Sequence, residues 1–299
     1  MTTQRFGRTT VDLGGADEYM SPQTIVRLTR LGRELRLIDQ ILTLDVDKVT
    51  VTHKGPAAAW TSLDGDHISF VAPKLPNPTD RLAVAVWLGV NAHELGHVLY
   101  SPRSGSQLVK RMKAAEGTYL KGIKQIENIV EDQRQERLLL GRFSPWHGYL
   151  LAALSHVLKH PDWLLMCGRT WLPAEVRAEA RVRFVAERGE QVADKVARLV
   201  GDYQRLTDPG DAEAPEAFDI LTELHAIFED DIPEGGCGGE PMEGGDPDTE
   251  PNDDDVKEWW PTADEADDAD DDADDEGEDE GEPCDDGQPG RSQRDPNRD

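Results

Sequence analysis

The residues best suited to chemistry are His93-Glu94-Leu95-Gly96-His97. On an α-helix, side chains four positions apart stack on one face. Two imidazoles so placed can each turn a ring nitrogen to one divalent ion, and zinc takes such nitrogens at about 2.0–2.1 Å. Glu94 adjoins the first imidazole. A carboxylate there can take a proton from a water activated by the ion and return it to a leaving group. The pattern therefore predicts Zn2+ as cofactor, His93 and His97 as ligands, Glu94 as general base, and hydrolysis at a carbonyl carbon as the chemistry.

Chemistry of this kind needs elements to position it. Thr79, after Pro78, is the expected N-cap of a helix opening Asp80-Arg81-Leu82-Ala83-Val84-Ala85-Val86-Trp87. That run is apolar enough to be a core helix, where His and Glu would be costly without partners. Gly96 costs helix propensity but lets another segment come close. Zinc also needs a third protein ligand and an open position. A later helix over roughly 117–140 carries Ile126-Glu127-Asn128-Ile129-Val130-Glu131-Asp132-Gln133-Arg134-Gln135-Glu136. At about 100° per residue, Glu127, Glu131 and Arg134 fall together beside its apolar stripe, while Asp132 and Glu136 point the other way. The expected ligand is Glu127 or Glu131.

Around these helices the pattern predicts an α+β, mainly α, protein. Residues 1–20 read as an irregular lead-in. Ser21-Pro22 opens an amphipathic helix to about residue 43. Strand signals follow at 48–53, 58–63 and 67–71, the last two joined by Asp64-Gly65-Asp66, so a small antiparallel sheet is expected before the motif helix. Its edge strand could hold an extended peptide by strand addition. A short helix is expected at 106–115, and residues 145–228 read as a helical part: 145–159, 162–171, 174–206 and 214–228. His53, His67, His156, His160 and His225 are expected to be packed or exposed, and His147 is a candidate transition-state donor.

Charge divides the chain. The formal net charge is −28. Residues 229–299 hold 31 Asp and Glu against 4 Lys and Arg, leaving 29 and 28 in residues 1–228. The body at 21–228 is close to neutral, so whole-domain charge gives no argument for nucleic acid. The acidic tail, with few large apolar residues, is expected to be disordered. Val256-Lys257-Glu258-Trp259-Trp260 within it reads as a short docking motif. The three cysteines make no disulfide framework or zinc ribbon. The N-terminus has no secretory signal core and no apolar run approaches 18 residues. The expected setting is therefore cytoplasmic, the host cytoplasm for a viral chain, with no membrane span.

The pair His93-Glu94-x-x-His97 and Asn128-x-x-Glu131-Asp132-x-Arg134-x-Glu136 resembles the metallopeptidase-like domain of proteins related to the cobalamin-biosynthesis cobaltochelatase subunit CobT, including phage and bacterial relatives. The resemblance spans roughly residues 20–230. It implies a zincin-like fold of gluzincin type, with Glu131 as third ligand and Asn128, Asp132 and Arg134 in support. A thermolysin-like Glu-x-x-x-Asp arrangement would instead put Glu127 on the metal with Glu131 behind it. In that family an acidic linker commonly leads to a von Willebrand factor A domain, and no Asp-x-Ser-x-Ser motif occurs in this chain. Two functions follow as expectations. One is a zinc metallopeptidase acting on a protein or peptide substrate. The other is a non-catalytic assembly module whose tail recruits a von Willebrand domain or AAA+ ATPase partner.

Overall fold

The computed structural model describes residues 8–12, 21–43, 45–55, 57–62, 64–116, 118–157 and 162–229. The acidic tail, its Trp259-Trp260 motif and His160 lie outside the described residues. The lead-in is not irregular throughout, because Arg8–Asp12 forms strand β1. Helix α1 (Pro22–Leu42) starts at Ser21, whose hydroxyl accepts from the Thr24 amide at 3.2 Å, with proline in its first turn. Leu28, Leu31 and Leu35, at helical spacing, turn its apolar face inward.

Strands β2 (Lys48–Thr52), β3 (Ala59–Thr61) and β4 (His67–Val71) join β1 in the order β1-β2-β4-β3. The sheet is mixed rather than antiparallel. Only β3 and β4 run antiparallel, and β2 pairs with both β1 and β4 in parallel. Burial gives the reason. Ile68, Ser69, Phe70 and Val71 of β4 are all buried, as are Val49, Thr50 and Val51 of β2. Strands covered on both faces take the middle of a sheet, and the shorter β3 is left at an edge.

The motif helix α2 (Arg81–Tyr100) is capped by Asp80 rather than Thr79; its carboxylate accepts from the Leu82 and Ala83 amides, both at 2.9 Å. By length and composition α2 could cross a membrane, contrary to the sequence expectation, but 61% of that apolar window is buried inside the fold. Val86, Trp87, Val90, Leu95 and Val98 join α1 and the sheet in one hydrophobic core.

The rest is helical. Helix α3 (Gln107–Glu116) is followed by α4 (Ile123–Arg142), which starts after Gly122 at φ 86°. Then come α5 (His147–Val157), the one-turn α6 (Trp163–Met166), α7 (Ala174–Arg188), α8 (Glu190–Arg205) and α9 (Ala214–Phe228). The expected 174–206 helix is thus two, parted at Gly189, whose φ of 88° favours glycine. A second core forms from α3, α4 and α6 to α9. Helices α2 and α4 meet where the two cores adjoin. A Cβ on Gly96 would stand 1.6 Å from the Gln135 side-chain oxygen, so the sequence expectation of a close approach there holds.

Between α1 and α2, Asn91 donates to the Asp39 carboxylate at 2.7 Å, and neither residue is exposed to solvent. Burial lifts the Asp39 carboxyl to about 7, opposed by the Asn91 bond. The folded chain therefore keeps this proton at pH values where the unfolded chain has lost it. The resulting stability is complete below about pH 4, declines as pH rises and is lost above about 7. Asp39→Asn should flatten stability between pH 5 and 8 and leave the variant the more stable at pH 8. Urea midpoints across that range check this, and parallel profiles would refute it.

Candidate metal centre

His93 and His97 project from α2 toward α4 with their Nε2 atoms 3.3 Å apart and rings at 82°. The carboxylate facing them belongs to Asp132. Its Oδ1 lies 3.1 Å from His97 Nε2 and 3.5 Å from His93 Nε2. These three residues form the one metal-capable group of His, Cys, Asp and Glu among the described residues.

Neither expected carboxylate occupies that place. Glu131 turns to Arg134, which donates to it from Nε at 2.8 Å and from a terminal nitrogen at 3.0 Å, and to Ser101, whose hydroxyl donates at 2.8 Å. Glu127 is half-buried and outside the group. Burial, Glu131 and Asp132 lift its carboxyl to about 8. Asp132 and Glu136, expected to point away, are the pair that reaches the imidazoles. The reason is the setting of α4. Every residue from Ile129 to Glu136 is buried, so the helix has no solvated side at this level to which charge could be assigned.

Each imidazole is held from behind. His93 Nδ1 lies 3.0 Å from Glu136 Oε1, and Arg169 grips Glu136 with two bonds of 2.7 and 3.0 Å. The Gln135 amide nitrogen, 3.1 Å from the same His93 Nδ1, can bond there only when Nδ1 carries no proton. His97 Nδ1 lies 2.9 Å from Ser101 Oγ, through which it is tied to Glu131 and Arg134. Carboxylates only accept, so Glu136 draws the Nδ1 proton of His93 and leaves Nε2 for the centre.

Electrostatics and spacing both fit a cation. With both imidazoles neutral, Glu94, Glu131, Asp132 and Glu136 bring four formal negative charges against two from Arg134 and Arg169, an excess that one divalent ion balances in place of a proton on His93. Burial pulls His93 down, but Asp132, Glu136 and Glu94 outweigh it and lift its pKa to about 9. Burial would raise Asp132, yet His93, His97 and Arg169 hold it down at about 2. Asp132 Oδ1 is buried and has no properly directed hydrogen bond. Two arms of about 2.0–2.1 Å at a tetrahedral angle span about 3.4 Å, close to the three separations observed here.

Glu94 stands outside the triangle. Thr61 on β3 donates to its Oε2 at 2.7 Å and lies 3.1 Å from its backbone oxygen. Bonds from Val71 N to Ala58 O and from Ser62 N to His67 O, both 2.9 Å, set the phase of the β3–β4 ladder. By alternation, the backbone groups of Ala59 and Thr61 face the edge of the sheet that is open among the described residues.

The other histidines are engaged elsewhere. His67 Nε2 sits between Thr50 and Ser69 hydroxyls at 2.8 and 3.0 Å, and burial, then Lys48, pushes its pKa to about 4. His225 Nε2 lies 2.7 Å from the Lys121 carbonyl. His147 is 3.0 Å from the Trp171 carbonyl and stacks edge-on against that ring. His53 is half-buried and His156 exposed. Sequence reasoning missed Thr61, Ser101 and Arg169. Ser101 carried a signal, since it continues the 93, 97 row by four.

Comparison of the chain with protein-family models, characterised proteins and solved structures gives no match.

Zinc titration separates the two carboxylates. Asp132→Ala should lose tight binding. Glu131→Ala should still bind one ion, weakened by about 10–100-fold, and lose about 3–5 kcal/mol of stability because Arg134 is left buried without its partner. The reverse pattern would return Glu131 to the metal.

Proposed function

We propose that the chain is a zinc-dependent hydrolase of peptide bonds, with His93, His97 and Asp132 holding the ion and Glu94 as general base. The observation that carries this reading is the triangle of two Nε2 atoms and an otherwise unbonded carboxylate oxygen. Two nitrogens and one carboxylate oxygen form a donor set suited to zinc, with three protein ligands and room for a fourth position. The gluzincin-type set drawn from the family resemblance is replaced by one ending in aspartate.

A bound zinc ion would supply Lewis-acid polarisation of the scissile carbonyl and a water of lowered pKa. The chain's own residues do the rest. Thr61 takes one oxygen of Glu94 and leaves the other to accept the proton of the attacking water. Glu94 then passes that proton to the departing amine. The open edge of β3 lies beside this base, because Thr61 belongs to both. An extended peptide paired with the outward backbone groups of Ala59 and Thr61 would run past Glu94. His93 and His97 side chains keep 24% and 18% exposure, which supports a site open to substrate over a closed structural one.

The rival reading is the non-catalytic assembly module, with the triad as an internal ion-pair cluster. It is favoured by the ion pairs that both Nε2 atoms already make with Asp132 Oδ1. A peptide-library cleavage assay with and without chelator separates the two. Chelator-sensitive cleavage is expected, and Glu94→Gln should retain zinc while losing about 10²–10⁴-fold in turnover. Full activity in a clean preparation of that variant would overturn the mechanism.

A further inference from the structure

We propose that Arg169 is a positioning residue for the metal centre, acting through Glu136 to fix His93. The inference rests on the zinc reading above. Arg169 lies between α6 and α7, in a stretch of sequence with no motif. Its side chain is 3% exposed, and every nitrogen of its guanidinium faces inward to a named partner. Nε and one terminal nitrogen take the two oxygens of Glu136, and the other terminal nitrogen donates to the Leu165 carbonyl. The nitrogen bound to Glu136 Oε1 also stands 3.9 Å from Asp132 Oδ2. So Glu136 Oε1 is shared between Arg169 and His93, and the second oxygen of Asp132 is drawn toward Arg169 while the first faces the imidazoles.

The segment carrying Arg169 is itself fixed from two sides. Gly168 donates its amide to Gln133 of α4 at 2.8 Å, and its carbonyl accepts from Gln204 of α8 at 2.9 Å. A Cβ there would meet the Gln204 amide nitrogen at 2.4 Å and Val200 at 2.7 Å, so the backbone must be bare for this clamp to close. A buried guanidinium is a poor device for stability alone, because its desolvation offsets much of the attraction it gains. Its planar fork is well suited to holding a carboxylate in one orientation. The helical part at 145–228 is thereby joined to the chemistry, since it supplies the group that sets the plane of Glu136 and, through it, the ring of His93.

Zinc affinity measured by competition with a chromophoric chelator tests this on wild type, Arg169→Met, Glu136→Gln and the double variant. Metal-free melting curves define the temperature at which each is folded. Arg169→Met and Glu136→Gln should each weaken binding by about 10–100-fold, and the double variant should bind as Glu136→Gln does. The double variant leaves no lone buried charge, so its comparison with Glu136→Gln stands even where Arg169→Met folds poorly. Wild-type affinity in Arg169→Met, or a further tenfold loss from Glu136→Gln to the double variant, would overturn the positioning role and leave the zinc reading intact. Wild type that binds no zinc would overturn both.

Discussion

The close passage of α2 over α4 at Gly96 governs the rest of the structure. The two helices belong to different hydrophobic cores, one built on the sheet and one on the C-terminal helices. A Cβ at position 96 would displace the Gln135 side chain from its place against α2. With no side chain at Gly96 in the way, the Gln135 side chain of α4 lies against α2, and Asp132 and Glu136 of the same helix reach the imidazoles. The polar groups therefore lie in a layer between two hydrophobic cores, where the buried carboxylates and guanidiniums are bonded by other side chains and by backbone carbonyls.

That layer is built asymmetrically. His93 meets its supporting carboxylate directly, and His97 meets its own through the Ser101 hydroxyl. Each carboxylate is in turn neutralised by a buried guanidinium. Such pairs do little for net stability, and their value here is geometric. They fix ring orientation and leave both Nε2 atoms and one Asp132 oxygen turned toward a common point. Glu94, next to His93 on α2, is bonded by the edge strand through Thr61. The imidazoles of α2, the carboxylates of α4 and the edge strand β3 are thus three elements that meet only in the folded chain.

Much of this was legible in the sequence. The motif helix, α1, α3, α9 and the β3–β4 hairpin follow from periodicity, capping and turn residues, and Gly96 announced a close neighbour. The sheet's true order was not legible, because adjacency of β2 to β4 is decided by which strands are covered on both faces. That Asp132 faces the imidazoles was not legible for a related reason. Ranking Glu127 and Glu131 above Asp132 assumed a helix with one wet side, whereas α4 runs through the interior. Asp132 and Glu136 share the four-residue spacing of the histidines they face, a signal that periodicity against an apolar stripe conceals. Arg169 had no local signal, since its role exists only through the packing of α4 against the α6–α7 connection.

The central claim is that His93, His97 and Asp132 converge on one divalent ion. Anomalous diffraction at the zinc edge, from crystals grown with equimolar zinc, tests it most directly. The account predicts a single strong peak about 2.0–2.2 Å from both Nε2 atoms and from Asp132 Oδ1. A peak ligated by Glu127 or Glu131 in place of Asp132, or an imidazole pair with no peak between its rings, would contradict it.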